Sequence, residues 1–198
     1  MAPEALRADH AAIVEHVEPG WRVLDLGCGD GALLALLAEQ RGARGQGIEL
    51  DDEAVYRCVG RGLPVCHGDI DSGLPDYPDD AFDCVILNKS IQEARHVTAV
   101  LREALRVGRR AIVGFPNFAH WAGRWSLAAR GRAPMTPSLP YAWHDTPNRR
   151  FFTVLDFTDY CRELRIPLLG ARYIGRGGRV RLLPNLRAVD AIFLLGRP

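Results

Sequence analysis

Lysine is almost absent from this chain, because all of its 25 basic residues except Lys89 are arginine. Aromatic residues make up 8% of the sequence, and no apolar run approaches the roughly 20 residues that a membrane-spanning helix needs. The start of the sequence, Met1-Ala2-Pro3-Glu4, lacks the basic and apolar regions of a signal peptide. These absences disfavour a membrane protein and predict a cytoplasmic location.

The five cysteines are dispersed, and no two of them form a C-x-x-C pair. An odd, scattered set is typical of free thiols in a reducing compartment rather than of a disulfide framework or a zinc site. No histidine and cysteine cluster has the spacing of metal ligands, and the sequence has no G-x-S-x-G nucleophile elbow. The sequence therefore predicts no bound metal and excludes an acyltransferase of the α/β-hydrolase type.

The net charge of +1 conceals an uneven distribution of charge along the chain. Residues 1–105 carry a balance of −10, whereas residues 106–198 carry a balance of +11. An arginine-rich half can contact nucleic acid, an acidic partner or the acidic half of another copy of the chain. Because the arginines are dispersed and form no nucleic-acid-binding motif, we favour a protein partner and leave a homo-oligomer open.

Predicted helices and strands alternate along the chain with short connections. This alternation is typical of a parallel sheet with helices on both faces, and 198 residues suit a single domain of this α/β class. The predicted helices occupy residues 6–17, 32–40, a stretch that opens at 51–53, 97–105 and 153–165. The predicted strands occupy residues 21–26, 45–50, 63–67, 82–87, 110–115, 167–174 and 188–195.

Residues 116–150 interrupt this alternation, since no strand or helix is predicted within them. The segment contains five prolines and is too long for an ordinary connection, which predicts a functional lid or a partner-binding insertion. Its aromatic and arginine residues are too numerous for a disordered spacer. They are Trp121, Arg124, Trp125, Arg130, Arg132, Tyr141 and Trp143.

A glycine-rich loop, Asp25-Leu26-Gly27-Cys28-Gly29-Asp30-Gly31, joins the first predicted strand to a helix. Glycines allow a sharp turn and a close approach of a ligand to the backbone, while the start of the helix offers free N–H groups. The loop alone is ambiguous, because with Ala32 it also fits the dinucleotide pattern G-x-G-x-x-A. A reactive Cys28 thiol is disfavoured, since this position needs only backbone approach.

Acidic residues in the glycine loop and at the ends of the next two strands narrow the choice of ligand. Asp25 lies two residues before the first glycine, where a carboxylate can bind the ammonium of an amino-acid ligand, and Asp30 would repel a pyrophosphate. Glu49 ends the second strand, where it suits a ribose diol, and Asp69 follows the third, where it can accept a hydrogen bond from adenine. Together these residues favour a site for S-adenosylmethionine or its demethylated product, S-adenosylhomocysteine.

These residues resemble the class I S-adenosylmethionine-dependent methyltransferases. The resemblance implies a Rossmann-like sheet of seven strands, mostly parallel, whose last strand is antiparallel. It also implies that Glu49 binds the ribose hydroxyls, Asp69 the adenine, and Asp25 with the glycine loop the methionine part. The complete predicted cofactor site is Asp25, Gly27, Cys28, Gly29, Gly31, Glu49, Leu50, Asp69, Ile70 and Asn88.

Further motifs, which run through most of the chain, resemble the MetW family of methionine biosynthesis proteins. The resemblance implies an accessory or regulatory partner of homoserine O-acyltransferase, and it specifies no methyl acceptor. The motifs are Leu6-Arg7-Ala8-Asp9, residues 23–31, Val85-Ile86-Leu87-Asn88-Lys89-Ser90-Ile91-Gln92, Phe115-Pro116-Asn117-Phe118-Ala119-His120-Trp121, Arg130-Gly131-Arg132-Ala133-Pro134 and Leu139-Pro140-Tyr141-Ala142-Trp143-His144-Asp145-Thr146-Pro147-Asn148.

Two functions of different class remain open from the sequence. In the first, the chain senses S-adenosylmethionine as an accessory subunit, and its insertion and arginine-rich half contact the acyltransferase. In the second, it methylates an unidentified small molecule with the insertion as a lid, because methyl transfer needs little beyond alignment of donor and acceptor. Tryptophan and arginine are typical interface anchors, which favours the first function.

No catalytic residue is assigned by the sequence. A general base for an oxygen or nitrogen acceptor can come from His120, His144 or Asp145, all in the insertion, although each is more commonly a hydrogen-bonded loop residue. We expect His67, at a strand end, to be structural. Arg7 can reach the ligand carboxylate if the first helix covers the site.

Overall fold

The computed structural model describes residues 7–136 and 138–198 of the chain. The predicted helix position Leu6, the residues Met1-Ala2-Pro3-Glu4 and Pro137 of the insertion lie outside these residues. The helices are α1 (Ala8–Val14), α2 (Ala32–Arg41), α3 (Asp52–Gly60), α4 (Val97–Val107), α5 (Trp121–Arg130), α6 (Val154–Glu163) and α7 (Pro184–Arg187). The strands are β1 (Arg22–Leu26), β2 (Arg44–Glu49), β3 (Val65–His67), β4 (Phe82–Asn88), β5 (Gly108–Pro116), β6 (Leu168–Gly175), β7 (Gly178–Arg179) and β8 (Asp190–Leu195).

The strands form one mixed sheet in the order β3-β2-β1-β4-β5-β8-β6-β7. The first five strands pair in parallel, and β8 runs antiparallel to both β5 and β6. The prediction of a mostly parallel Rossmann-like sheet with an antiparallel last strand is confirmed. The count of eight differs from the expected seven because the two-residue strand β7 folds back on the end of β6 as a hairpin.

Apolar side chains from alternating strand positions fill a layer on each face of the sheet. In β4, Val85 and Leu87 belong to the layer that contains Phe115, whereas Cys84 and Ile86 belong to the other layer. A strand that is buried on both faces reads as a continuous apolar run, which is why its bounds are accurately predicted from the sequence. Because these strands are parallel, their carboxyl ends lie at one edge of the sheet, and the glycine loop lies at this edge.

Helix α6 begins where its sequence predicts. The Thr153 side chain accepts a hydrogen bond from the Asp156 N–H, and the Asp156 carboxylate accepts one from the Thr153 N–H, which forms a capping box. Helix α1 is shorter than expected because the chain continues into a tighter turn, in which the Val17 N–H donates to the Val14 carbonyl. Within the described residues, no helix combines the length and apolarity that crossing a bilayer requires.

The insertion contains helix α5, which the sequence analysis did not predict. Gly123 is its one buried residue, whereas Trp121 and Trp125 are exposed. A helix is recognised in a sequence by apolar residues that recur at helical spacing and form a buried stripe, and α5 has no such buried stripe. The capping side chain is His120, whose Nδ1 atom accepts a hydrogen bond from the Ala122 N–H (3.3 Å).

Candidate functional site

A cavity of about 660 Å³ lies at the carboxyl ends of β1, β2, β3 and β4. Ligands of open α/β sheets bind at this edge, and the volume lies within the range of about 300–1,000 Å³ for small-molecule pockets. Six of the predicted cofactor residues line it: Gly27, Gly29, Glu49, Leu50, Asp69 and Ile70. The remaining four, Asp25, Cys28, Gly31 and Asn88, lie beneath or beside the cavity and are described below.

The glycine loop needs its glycines for two different reasons. Gly27 has a φ of +76°, and a Cβ atom there would lie 2.7 Å from the Ser90 Cβ atom. Gly31 also has a φ of +76°, and its Cβ would lie 2.4 Å from Leu63 Cδ1. Gly29 has a φ of +57° but would meet no atom within 4 Å. The positive φ values favour glycine at all three positions, and packing also requires it at Gly27 and Gly31, whereas Gly29 faces open space where a ligand can approach its backbone.

The Glu49 carboxylate is fixed at the end of β2 by three backbone groups. Its Oε2 atom accepts a hydrogen bond from the Gly29 N–H (2.7 Å), and Oε1 accepts from the N–H groups of Leu50 (2.8 Å) and Asp51 (3.0 Å). A carboxylate has about four acceptor positions, so these bonds leave capacity for a ligand. Glu49 is thus both an organiser of the glycine loop and an acceptor at the cavity wall.

Two aspartates shape the opposite end of the cavity. Asp69 caps a short 3-10 turn, Ile70–Ser72, with its Oδ1 atom accepting from the Asp71 N–H (2.9 Å). The Asp71 carboxylate accepts from the N–H groups of Arg95 and His96, both at 2.8 Å. Burial works against the charge of Asp71, but these bonds outweigh it and lower its pKa. Asp71 was not predicted from the sequence, although it lies two residues after the predicted Asp69.

Asp25 lies under the glycine loop and is 2% exposed. Its Oδ1 atom has no hydrogen-bond partner among the described residues. Burial, together with the nearby charge of Glu49, raises the pKa of Asp25 to about 7. A buried carboxylate without a counter-ion is costly, so a cationic group bound above it would be favourable.

The other predicted cofactor residues make protein contacts. Cys28 is buried with its sulfur atom 3.9 Å from that of Cys58, and burial raises its pKa, so it is an unreactive packed thiol. The Asn88 side chain turns away from the glycine loop, and its Nδ2 donates to Asp9 Oδ2 (3.1 Å). The role of Asn88 as a cofactor residue stays a prediction.

Residues after β4 contribute to the cavity beyond those predicted. Ser90 is buried, and its hydroxyl oxygen has no hydrogen-bond partner in the described part of the chain. Glu93 faces the same space, and burial and the charge of Glu49 raise its pKa. Lys89 also lines the cavity. Ser90 and Lys89 belong to the motif at residues 85–92, whereas Glu93 does not, and no spacing rule predicts where their side chains lie.

The insertion folds back over this cavity. Its residues Tyr141, Pro147 and Arg149 complete the lining. The N–H groups of Arg149 and Arg150 both donate to the Gln92 carbonyl (3.0 and 3.1 Å). The Arg150 guanidinium donates to two more carbonyls, those of Ala94 (2.6 Å) and Arg95 (2.7 Å). The insertion is therefore anchored to the same loop that forms one wall of the site.

The candidate general bases are not gathered at this cavity. His120 caps α5, and burial and the charge of Arg176 lower its pKa. The His144 ring packs edge-on against Trp143, and neither it nor Asp145 lines the cavity. His67 Nε2 lies 2.9 Å from the Leu50 carbonyl oxygen, which is a structural contact. In residues 7–136 and 138–198, no group of three or more metal-binding side chains is found.

Arg7 binds a side chain of its own helix. Its Nη2 and Nε atoms donate to the two carboxylate oxygens of Asp9, at 2.6 and 3.2 Å. Asp9 in turn contacts Lys89, with 3.4 Å between Lys89 Nζ and Asp9 Oδ2. Arg7 therefore lines a second cavity next to the first rather than the glycine-loop cavity itself.

Solved structures share this fold at low sequence identity. A methyltransferase from Archaeoglobus fulgidus described as SAM dependent superposes with a TM-score of 0.71 at 13% identity, over 96% of this chain and 92% of that one. A possible histamine N-methyltransferase from Thermotoga maritima gives 0.69 at 17%, over 96% and 88%. The [4+2]-cyclase SpnF gives 0.67 at 18%, over 96% and 80%. The fold is that of class I S-adenosylmethionine-dependent methyltransferases.

A family model and the sequence relative that matches nearly the whole chain point to one family. The chain is 37% identical over 205 residues to the bifunctional methionine biosynthesis protein MetXA/MetW of Rhodopirellula baltica, covering 97% of this chain and 33% of that protein. A ribosomal protein L11 methyltransferase of Burkholderia lata is 37% identical over 98 residues, covering 48% and 32%. The chain thus spans about a third of the length of these relatives. Because the model of the methionine biosynthesis protein MetW family matches residues 7–195, nearly its whole length, this chain belongs to the MetW family.

Proposed function

We propose that this chain binds S-adenosylmethionine or S-adenosylhomocysteine in the glycine-loop cavity and acts as an accessory or regulatory partner of a homoserine O-acyltransferase. The observation that carries ligand binding is the arrangement around Gly29. The open backbone of Gly29 and the fixed Glu49 carboxylate line one space of suitable size, and the buried Asp25, whose Oδ1 atom has no hydrogen-bond partner among the described residues, lies two residues before the first glycine of the same loop. In this proposal Glu49 holds the ribose hydroxyls, Asp69 and Ile70 the adenine, and Asp25 the ammonium.

The chemistry that S-adenosylmethionine supplies when bound is an electrophilic methyl group on a sulfonium. The chain's own residues bind and orient this ligand, and the insertion residues Tyr141, Pro147 and Arg149 limit access of water to it. Ser90, at the same wall, offers a buried hydroxyl that has no hydrogen-bond partner among the described residues. Such an unsatisfied group is costly in the free protein and is relieved by a polar ligand atom.

The partner role rests on the relative from Rhodopirellula baltica, whose name joins MetXA and MetW in one bifunctional protein. Fusion of two domains raises the effective concentration of each for the other. Two separate chains that bind each other achieve the same proximity. The family resemblance implies that the second chain is a homoserine O-acyltransferase. The proposed contact surface is the insertion.

Exposed apolar side chains are concentrated on the insertion, which supports a docking role. Trp125 is 63% exposed and Trp143 is 79% exposed. Large exposed aromatic groups are typical of binding surfaces, and tryptophan is frequent among residues that dominate interface energies. The arginine-rich composition of this half of the chain favours an acidic partner surface. The other exposed apolar residues of this surface are Trp121, Leu127, Met135 and Tyr141, and the exposed Phe151 follows directly after the insertion.

Methyl transfer to a small molecule is the second candidate function. It is favoured by the second cavity, which adjoins the first at Lys89 and could hold an acceptor. The cyclase that shares this fold illustrates that the fold alone does not fix the reaction. The two functions are distinguished by whether a methylated product is formed.

The experiment compares the acyltransferase of the same organism with and without this chain. We expect the chain to co-purify with the acyltransferase and to raise its rate, without a methylated product. Trp125→Ala should weaken the complex by about 2 kcal/mol or more, roughly thirtyfold in Kd. Tyr56→Ala is the matched control, because Tyr56 is 74% exposed but belongs to α3 and not to the insertion. An equal acyltransferase rate without this chain, together with an accumulating methylated product, would favour the second function.

A further inference from the structure

A second cavity, of about 320 Å³, lies beside the glycine-loop cavity and shares Lys89 with it. It is bounded by the start of α1, the ends of β4, β5 and β6, the start of β8 and the insertion. Its volume lies at the small end of the range of about 300–1,000 Å³ for ligand pockets. The cavity is therefore large enough for a ligand of amino-acid size.

A buried cluster of charges forms one end of this cavity. Lys89 Nζ lies 3.4 Å from Asp9 Oδ2 and 3.6 Å from Asp190 Oδ1. The side chains of Asp9 and Asp190 are only 4% and 13% exposed. Burial opposes the charge of Asp9, but hydrogen bonding from Arg7 and the charge of Lys89 outweigh it and keep the Asp9 pKa below its ordinary value. Asp9 is therefore ionised at neutral pH, whereas burial raises the pKa of Asp190.

The cluster is poorly explained by stability alone. Lys89 has a φ of +62°, a left-handed conformation that is strained for a residue with a side chain. The Oδ1 atoms of Asp190 and Asn88 are buried without hydrogen-bond partners among the described residues. A buried ion cluster with strained backbone and unsatisfied acceptors costs free energy that an apolar core would not. Strain and unpaired polar groups of this kind concentrate at ligand sites.

Apolar side chains line the same cavity. Phe118, Leu139 and Ile174 line it, and Leu139 and Ile174 are each only 8% exposed. His120 lies at the same cavity, and because its Nδ1 accepts from the Ala122 N–H, its proton is on Nε2. Arg176, an exposed cation, also lines the cavity. The lining thus combines side chains of both signs of charge with apolar side chains.

We propose that this second cavity binds a free α-amino acid with an apolar side chain. Asp190, whose Oδ1 atom has no hydrogen-bond partner among the described residues, takes the ammonium, while Arg176 and Lys89 take the carboxylate. Phe118 and Leu139 contact the side chain of the ligand. A zwitterion uses both signs of charge at the polar end, which a simple anion or a simple amine does not. The site stands whether or not the first cavity holds S-adenosylmethionine.

The test is calorimetric titration of the full chain with L-methionine as the probe. The titration is made on protein saturated with S-adenosylhomocysteine, so that binding of methionine in the first cavity is blocked. We expect saturable binding with a Kd in the micromolar to millimolar range, and binding at least about tenfold weaker for the amine without the carboxylate and the acid without the ammonium.

Two variants localise the binding. Asp190→Asn should weaken L-methionine binding about tenfold or more, through loss of a charge-assisted hydrogen bond. Arg176→Gln, at an exposed position that the fold tolerates, should weaken it several-fold. Both should keep the circular dichroism spectrum and the S-adenosylhomocysteine affinity of the parent protein. Glu49→Gln is the reciprocal control, since it should weaken S-adenosylhomocysteine and leave L-methionine binding unchanged.

The outcomes separate this site from the proposed function. Absence of saturable L-methionine binding at millimolar concentration, or equal binding by the parent and both variants, overturns the amino-acid site. A chain that fails to bind S-adenosylhomocysteine, yet binds L-methionine in a manner that depends on Asp190 and Arg176, refutes the proposed function and supports this site. Transfer of a methyl group to the bound amino acid would support the site and identify it as the acceptor pocket.

Discussion

The buried carboxyl group of Asp25 leads to a prediction whose size follows from the structure. The group is 2% exposed, its Oδ1 has no partner among the described residues, and burial with the charge of Glu49 raises its pKa from 3.8 to about 7. The folded protein without ligand therefore holds a proton on Asp25 more tightly than the unfolded chain does. Above pH 7 the carboxylate is ionised in both states, and the folded state bears the full cost of burying it.

The sign of the pH dependence follows from these two pKa values. Because the folded pKa is raised, the destabilisation is small near pH 4, grows as the pH rises, and is complete above about pH 7. From the pKa of 3.8 in the unfolded chain and about 7 in the folded protein, ionised Asp25 lowers the free energy of unfolding by about 4 kcal/mol at pH 8 and by about 1.5 kcal/mol at pH 5. Asp25→Asn removes the charge at nearly constant shape. Relative to the parent protein, its free energy of unfolding should therefore rise by about 2.5 kcal/mol between pH 5 and pH 8.

Urea denaturation of the ligand-free proteins, followed by circular dichroism from pH 5 to pH 8, measures this quantity. Any constant cost of burying the amide cancels, because only the change with pH is compared. Asp76→Asn is the control, since Asp76 is exposed and its charge is solvated. The same Asp25 variant should bind S-adenosylhomocysteine more weakly because the partner of the ligand ammonium has lost its charge. If the difference in free energy of unfolding between the variant and the parent protein is the same at pH 5 and pH 8, the pKa of Asp25 is not raised in the folded protein.

The glycine loop and the strand end beside it give two further predictions. Gly27→Ala should destabilise the protein by about 1–3 kcal/mol and abolish S-adenosylhomocysteine binding. The reason is that the new Cβ atom would lie 2.7 Å from the Ser90 Cβ atom and that the φ of this position is +76°. Gly60→Ala is the control and should be tolerated, because a Cβ atom there meets no atom within 4 Å. Thermal unfolding checks both variants, and equal melting temperatures would contradict the expectation. Glu49→Gln should reduce affinity for S-adenosylhomocysteine about tenfold by calorimetry, whereas Glu53→Gln, at an exposed position, should not; unchanged affinity would mean that Glu49 does not contact the ligand.

The parts of the fold that the sequence predicted are those governed by local rules. Strand β4 is a continuous apolar run, and helix α6 begins at a Thr153 capping box, so both follow from neighbouring residues. Gly27 and Glu49 were also predicted, because the loop that follows β1 and the residue that ends β2 lie at the ligand edge of any such sheet. Helix α5 was missed, since its apolar side chains face outward and leave no periodic buried stripe.

The second cavity could not be predicted, because it depends on contacts between distant parts of the chain. Asp9, Lys89 and Asp190 come from α1, the end of β4 and the start of β8. No spacing rule relates three residues that meet only after the sheet has formed. The left-handed conformation of Lys89 has no local signal either, since this conformation is usual for glycine and uncommon for lysine.

The insertion links the site to the proposed docking surface through one short segment. Residues 92–95 accept the hydrogen bonds that anchor Arg149 and Arg150, and Glu93 from the same segment lines the glycine-loop cavity. Trp125 and Trp143 are presented by the insertion that this anchor holds. A ligand that stabilises residues 92–95 stabilises the anchored insertion, and a partner that holds the insertion stabilises the ligand site. By thermodynamic linkage the two effects are equal in free energy, so whatever factor S-adenosylhomocysteine adds to partner affinity, the partner must add to the affinity for S-adenosylhomocysteine.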